Sequence, residues 1–208
     1  MNNKYCLLYF ILLYISFFSA MGQTNKLRYF DQNNKEISKS KFNEILEKNI
    51  YLDAPGDTLN SLKLIYRENH GNLTNKSIFI SKLEQNSNRI IDTLKPIVII
   101  YYPGPDPCNQ SGSADSRWIS EWYGELESKL YKIDQIKPFY VYKDSAGLDK
   151  YRGILKWFKD PEGMVERIFF KNHYPCESFV VISKSGEYIS YFGEFPKEFV
   201  WKILKTLK

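Results

Sequence analysis

The chain has 208 residues, a formal net charge of +5 and an aromatic content of 16%. Its charges are interleaved, as in "KSKFNEILEK" and "ELESKLYK", with no basic block, which excludes the electrostatic footprint of a nucleic-acid binder. It has no internal repeat, no low-complexity tract, no Gly-rich phosphate loop, no zinc-protease helix and no serine-nucleophile elbow.

The opening, "MNNKYCLLYFILLYISFFSAMGQTN", places Lys4 before an almost wholly apolar run over 7–20. Ala20-Met21-Gly22 then offers small residues at the two positions a signal peptidase reads. That is the layout of a secretory signal peptide. The run is short for a membrane span of about 20 residues, so cleavage after Gly22 and an exported mature chain are expected, periplasmic or extracellular, with no membrane attachment afterwards. Cleavage removes Cys6 and leaves Cys108 and Cys176. An even cysteine count in an exported protein invites a disulfide.

"KLRYF" (26–30) reads as a strand, and Ser38 is placed to cap a helix over 39–48. "SLKLIYRE" (61–68) alternates apolar and polar residues and predicts a half-buried strand. "HGNLTN" reads as a loop, and "KSIFISKLEQN" (76–86) as a helix capped by Thr74 or Asn75. From residue 96 the pattern sharpens. "PIVIIYY" (96–102) is a continuous β-branched run, which suits a strand buried on both faces. "PGPDPCNQSGSADS" has too many prolines and glycines to be anything but a loop. Trp118, Ile119, Trp122, Leu126, Leu130 and Ile133 then mark one face of a helix capped by Asp115 or Ser116. "KPFYVYK" (137–143) is a second buried strand. Helical spacing recurs over Leu148–Phe158 and Met164–Phe170. "SFVVIS" (178–183), the turn "KSGE" and "YISYFG" (188–193) form a hairpin, and "PKEFVWKILKTLK" closes the chain as an amphipathic helix. Trp118, Trp122, Trp157 and Trp201 sit at helical spacing, and core packing is expected for most of them.

The order is therefore strand, helix, strand, helices, hairpin, helix: an α/β chain with a mixed sheet between helices. That order resembles the thioredoxin fold. "KPIVIIYYPGPDPC" resembles the family's central strand running into its active-site loop, and "HYPCESFVVISKSGEYISYFGEF" its proline loop, hairpin and closing helix. With the signal peptide over 1–22 set aside, the resemblance implies an extension over 23–92 that packs on the main domain, and a thioredoxin-like domain over 93–208. "CNQS" departs from the family's Cys-x-x-Cys, with Ser111 at the second cysteine's place and Pro107 where the family has tryptophan. Pro175 is the candidate for the family's cis proline. Pro105 stands where peroxiredoxins, whose loop "YYPGPDPC" also resembles, place threonine or serine.

In the family the two loops lie side by side, which implies that Cys108 faces Cys176. Three roles for the pair stay open at this stage. It is a structural disulfide in a non-catalytic domain of unassigned role, with room for an unknown protein partner, or a redox pair in which Cys108 attacks and Cys176 resolves, with His173 and Arg117 as the available cations. Or, with His173, it is a soft metal site for Cu(I) or Zn²⁺. The expectation is the first, with neither metal nor cofactor. Substrate and oligomeric state are not legible, and enzyme activity is left open.

Overall fold

The computed structural model of the chain describes residues 26–109, 114–172 and 176–208. Backbone contacts divide it into two compact units, one ending at Ile65 and one spanning Tyr66–Lys208.

The first unit contains a four-stranded sheet. β1 (Arg28–Phe30) pairs antiparallel with β2 (Glu36–Ile37) and parallel with β4 (Ser61–Tyr66), and β3 (Tyr51–Pro55) completes the order β2-β1-β4-β3. Asp31 makes the β1–β2 turn by accepting the amides of Asn33 and Lys35 at 2.9 Å each. α1 (Lys39–Leu46) starts at Ser38, whose hydroxyl accepts the Lys41 amide. Its buried Phe42 packs against Tyr29 at 5.1 Å between ring centroids. β3 was not expected, because "YLDAP" carries no alternation of its own.

The larger unit is built on a six-stranded sheet, in the order β5-β10-β9-β6-β7-β8. β6 (Ile97–Tyr102) and β9 (Ser178–Ile182) lie at its centre and are buried at every position, as their unbroken apolar runs require. β6 runs parallel to β7 (Phe139–Tyr142) and antiparallel to β9, and β9 runs antiparallel to β10 (Glu187–Tyr191). Four strands in the order β7-β6-β9-β10 with these directions, a helix between the first two and a helix after the last, make the thioredoxin arrangement. The pleat sends alternate residues of β6 to opposite faces. Val98 and Ile100 join Ile119, Tyr123, Leu126 and Leu130 of α3 (Ser116–Asp134) and Val200, Ile203 and Leu204 of α5 (Lys197–Leu207) in one core. On the other face Tyr101 stacks on Phe170, and Phe79 of α2 (Lys76–Ser87) meets Phe169 of α4 (Met164–Phe169) edge to face.

Three expectations are corrected here. His70, Gly71 and Asn72 of "HGNLTN" are not in a loop but in β5 (Glu68–Asn72), an edge strand that exists because β10 offers it a hydrogen-bonding edge. Gly71 sits opposite Tyr188, and a Cβ there would come within 2.4 Å of the Tyr188 hydroxyl. The stretch Leu148–Phe158 is not a helix. It is one 3₁₀ turn (Leu148–Tyr151) followed by β8 (Trp157–Lys159), which adds in parallel to β7. Trp157 is thus a strand residue, packed against Tyr102, Tyr140 and Tyr151. Trp118 is not in the core; it is 52% exposed and stacks on Trp122.

Candidate active-end site

The site forms where β6 ends and β9 begins, on neighbouring antiparallel strands. β6 delivers the loop that carries Cys108, and the segment entering β9 carries Cys176. Because Tyr101 is paired with Ser178, both loops leave the sheet at the same end. Cys108 and Cys176 are joined by a disulfide with a Cα–Cα separation of 5.4 Å, inside the range a bridge needs. Cys108 is exposed and Cys176 is partly buried. Cys176 has φ of +65°, a left-handed conformation that costs a residue with a Cβ about 1–2 kcal/mol, which the bridge and its surroundings must offset.

The centre of the site is Asp106, which the sequence did not single out. It is 7% exposed. Its Oδ1 accepts the amides of Cys108 at 2.8 Å and Asn109 at 2.9 Å. Its Oδ2 accepts the Cys176 amide at 2.9 Å and Asn109 Nδ2 at 2.7 Å. Asn109 answers by accepting the Asp106 amide through Oδ1 and donating to the Gly104 carbonyl through Nδ2. One carboxylate therefore holds the backbone of both cysteines. The local reason is a turn motif: an aspartate followed by proline folds back to take the amides two and three residues on. The reach to Cys176 is long-range and has no local signature.

A second carboxyl group directly follows Cys176 in the chain. Glu177 accepts hydrogen bonds from Tyr123 Oη of α3 and from Tyr151 Oη, the latter at 2.7 Å. Burial raises the pKa of Glu177, and the two phenol donors and the charge of Lys150 pull it back down. Burial likewise raises the pKa of Tyr123 and of Tyr151. Tyr102, fully buried at the end of β6, donates to the Ala146 carbonyl at 2.8 Å. Burial first, and then the charges of Asp106 and Glu177, push its pKa up to about 12. Lys150 Nζ donates to the Asn109 carbonyl at 2.6 Å and so ties the 3₁₀ turn to the Cys108 loop.

Of the other residues singled out in sequence, Arg117 lies in the first turn of α3, exposed and paired with Glu121 at 2.8 Å. Ser111, His173 and Pro175 lie outside the described residues. A carboxylate oxygen of Asp106 and the sulfurs of Cys108 and Cys176 lie within 4.8 Å of one another. With the two sulfurs bonded to each other neither is a thiolate, the form that ligates a metal.

No family model and no curated protein matches the sequence. Among solved structures, the chain is similar to a thiol:disulfide interchange protein DsbE from Chlorobium tepidum, at 15% identity and a TM-score of 0.40, over 76% of this chain and 92% of that one. It is also similar to an exposed lipoprotein thioredoxin from Streptococcus pneumoniae, at 16% identity and a TM-score of 0.37, over 60% of this chain and 90% of that one. The fold is thioredoxin-like. Strand order and strand direction carry that assignment, and neither likeness carries an activity. Among the described residues, no helix is long and apolar enough to cross a membrane.

Proposed function

We propose that this chain is an exported, non-catalytic thioredoxin-like module for binding a protein partner, in which Cys108–Cys176 is a structural staple. One observation carries the reading: the partner of Cys108 lies 68 residues away on a second loop, not in its own loop. An oxidoreductase of the Cys-x-x-Cys type keeps both sulfurs on one turn, so that a mixed disulfide on the first is resolved without moving a second loop. Here resolution would need two loops to reopen while Asp106 grips the backbone of both.

Closing a loop of 68 residues also stabilises the chain by roughly 4 kcal/mol in the loop-entropy picture, as a staple should. Export rests on the N-terminal sequence pattern. It predicts a mature chain that starts at Gln23, checked by N-terminal sequencing of the secreted protein.

The second reading is a thiol–disulfide oxidoreductase in which Cys108 attacks and Cys176 resolves. The exposure of Cys108 favours it, because an incoming thiolate can reach that sulfur. Equilibrating the purified protein across glutathione potentials and mass-tagging free thiols separates the two. A midpoint below about −300 mV is expected for the staple, whereas one between about −230 and −120 mV would replace this reading with the second.

A further inference from the structure

We infer that Asp106 is the residue that keeps the bridge oxidised, by denying both sulfurs a stable thiolate. The inference deepens the staple reading and rests on it.

Two features of Asp106 act together. First, its carboxylate oxygen is within 4.8 Å of both Sγ atoms, and the residue is more than nine-tenths buried. A buried negative charge at that distance repels any second negative charge on either sulfur, with little screening by salt. Second, it consumes the backbone donors. The amides of Cys108, Asn109 and Cys176 are the groups that would solvate a thiolate at either position, and all three point at Asp106. A thiolate needs a nearby cation or helix N-terminus to be stabilised. Cys108 lies before Ala114 and Asp115 in a loop that precedes α3, not in its first turn. Among the described residues, Lys150 is the lysine that reaches the Cys108 loop, and it is held on the Asn109 carbonyl. The other acidic groups here bring no positive charge to the sulfurs: Glu177 is bonded to the two tyrosines, and Asp144 accepts the Ala146 amide. Among the described residues, the groups around the bridge therefore oppose negative charge on either sulfur.

The consequence follows from the chemistry of reduction. A thiolate of a small thiol attacks the exposed Sγ of Cys108. The S–S bond breaks, and its electron pair leaves on Sγ of Cys176. A second thiolate attacks the mixed disulfide, the reductant departs as its own disulfide, and Cys108 is left with the electron pair. Each sulfur then takes a proton from solvent, so that two electrons and two protons have entered the protein. In both transfers, negative charge is spread over sulfurs that face Asp106. Asp106 thus slows the attack and raises the pH needed to ionise the products. It acts through the cysteines and is a positioning residue.

The test is the pH profile of alkylation of Cys108 in the fully reduced full-length protein, read by mass spectrometry. The half-maximal pH should lie above 8.5, the ordinary thiol value. In Asp106→Asn it should fall by about one pH unit or more, and reduction of the oxidised protein by glutathione should speed up about tenfold. Asp106→Glu, which keeps the charge and disturbs the turn, should stay near the wild-type profile. A wild-type value at or below 8.5 overturns the inference even if no variant folds, and so does an equal fall in the Asn and Glu variants. These outcomes are independent of the staple reading, which fails on the wild-type midpoint potential alone.

Discussion

Asp106 grips the backbone of both cysteines and Glu177 directly follows Cys176 in the chain, and the two carboxyl groups are held by different kinds of donor. Asp106 is held by main-chain amides from two loops, together with the side chain of Asn109. Glu177 is held by two phenol hydroxyls, from α3 and from the 3₁₀ turn. Amide donors cannot leave without the loop leaving, so Asp106 fixes backbone, and through it the 5.4 Å approach of the two cysteines. Hydroxyl donors belong to side chains, so Glu177 ties Tyr123 of α3 and Tyr151 of the 3₁₀ turn to the segment entering β9 without gripping main chain. One carboxylate shapes the site, and the other has its pKa raised by burial.

Substitutions can break that contrast. The largest expected effect is from Asp106→Ala. It leaves three backbone amides without their acceptor, and about 3 kcal/mol of stability should be lost in denaturant titration. Next is Tyr123→Phe, which removes one of two donors from a buried carboxylate and should cost about 1–2 kcal/mol at neutral pH. Because the Tyr123 hydrogen bond lowers the Glu177 pKa, the variant should raise that pKa further.

Glu177→Gln sharpens the comparison through pH. The folded-state pKa of Glu177 is raised above its ordinary 4.5, so the folded state holds this proton more tightly than the unfolded state does. The stabilisation is complete below about pH 4.5 and is lost as pH rises through the folded pKa. Glutamine cannot ionise. Stability of Glu177→Gln should therefore lack this falling component when wild type and variant are compared from pH 4 upward, and at neutral pH the variant should be within about 1 kcal/mol of wild type.

Smaller still is the effect of conformation at Cys176. With the bridge removed by Cys108→Ser, Cys176→Gly should be more stable than Cys176→Ser by about 1 kcal/mol, since only glycine adopts its positive φ freely. Equal stabilities would mean that the loop relaxes once the bridge is gone.

How far the molecule is legible in sequence follows the same division between side chain and main chain. β6, β9, α3 and α5 announce themselves because their buried faces are written in apolar side chains. So do the two cysteine loops, through prolines, glycines and their places after and before central strands. β5 is not legible. Its residues, Glu68 to Asn72, are polar or glycine, and its strand conformation comes from main-chain pairing with β10. Asp106 is hidden for the same reason. Its donors are amides that every residue but proline carries, so nothing in their identity marks them, and the Cys176 amide lies 70 positions away. Glu177 is intermediate. Its tyrosines are visible, but their convergence is a product of the fold. The segment Leu148–Phe158 reads as a helix because Leu148, Tyr151 and Leu155 mimic helical spacing, whereas Gly147 and Gly153, both at positive φ, break the chain into a single turn.

The central claim is that the bridge serves the fold and not a reaction, and the most direct test compares the stability of oxidised and fully reduced protein by denaturant titration at neutral pH. A staple that closes a 68-residue loop predicts that reduction lowers stability by about 4 kcal/mol, with the thioredoxin-like sheet still cooperative but less stable. A reduced form as stable as the oxidised one, or more stable, as in oxidants whose dithiol state is favoured, would contradict it.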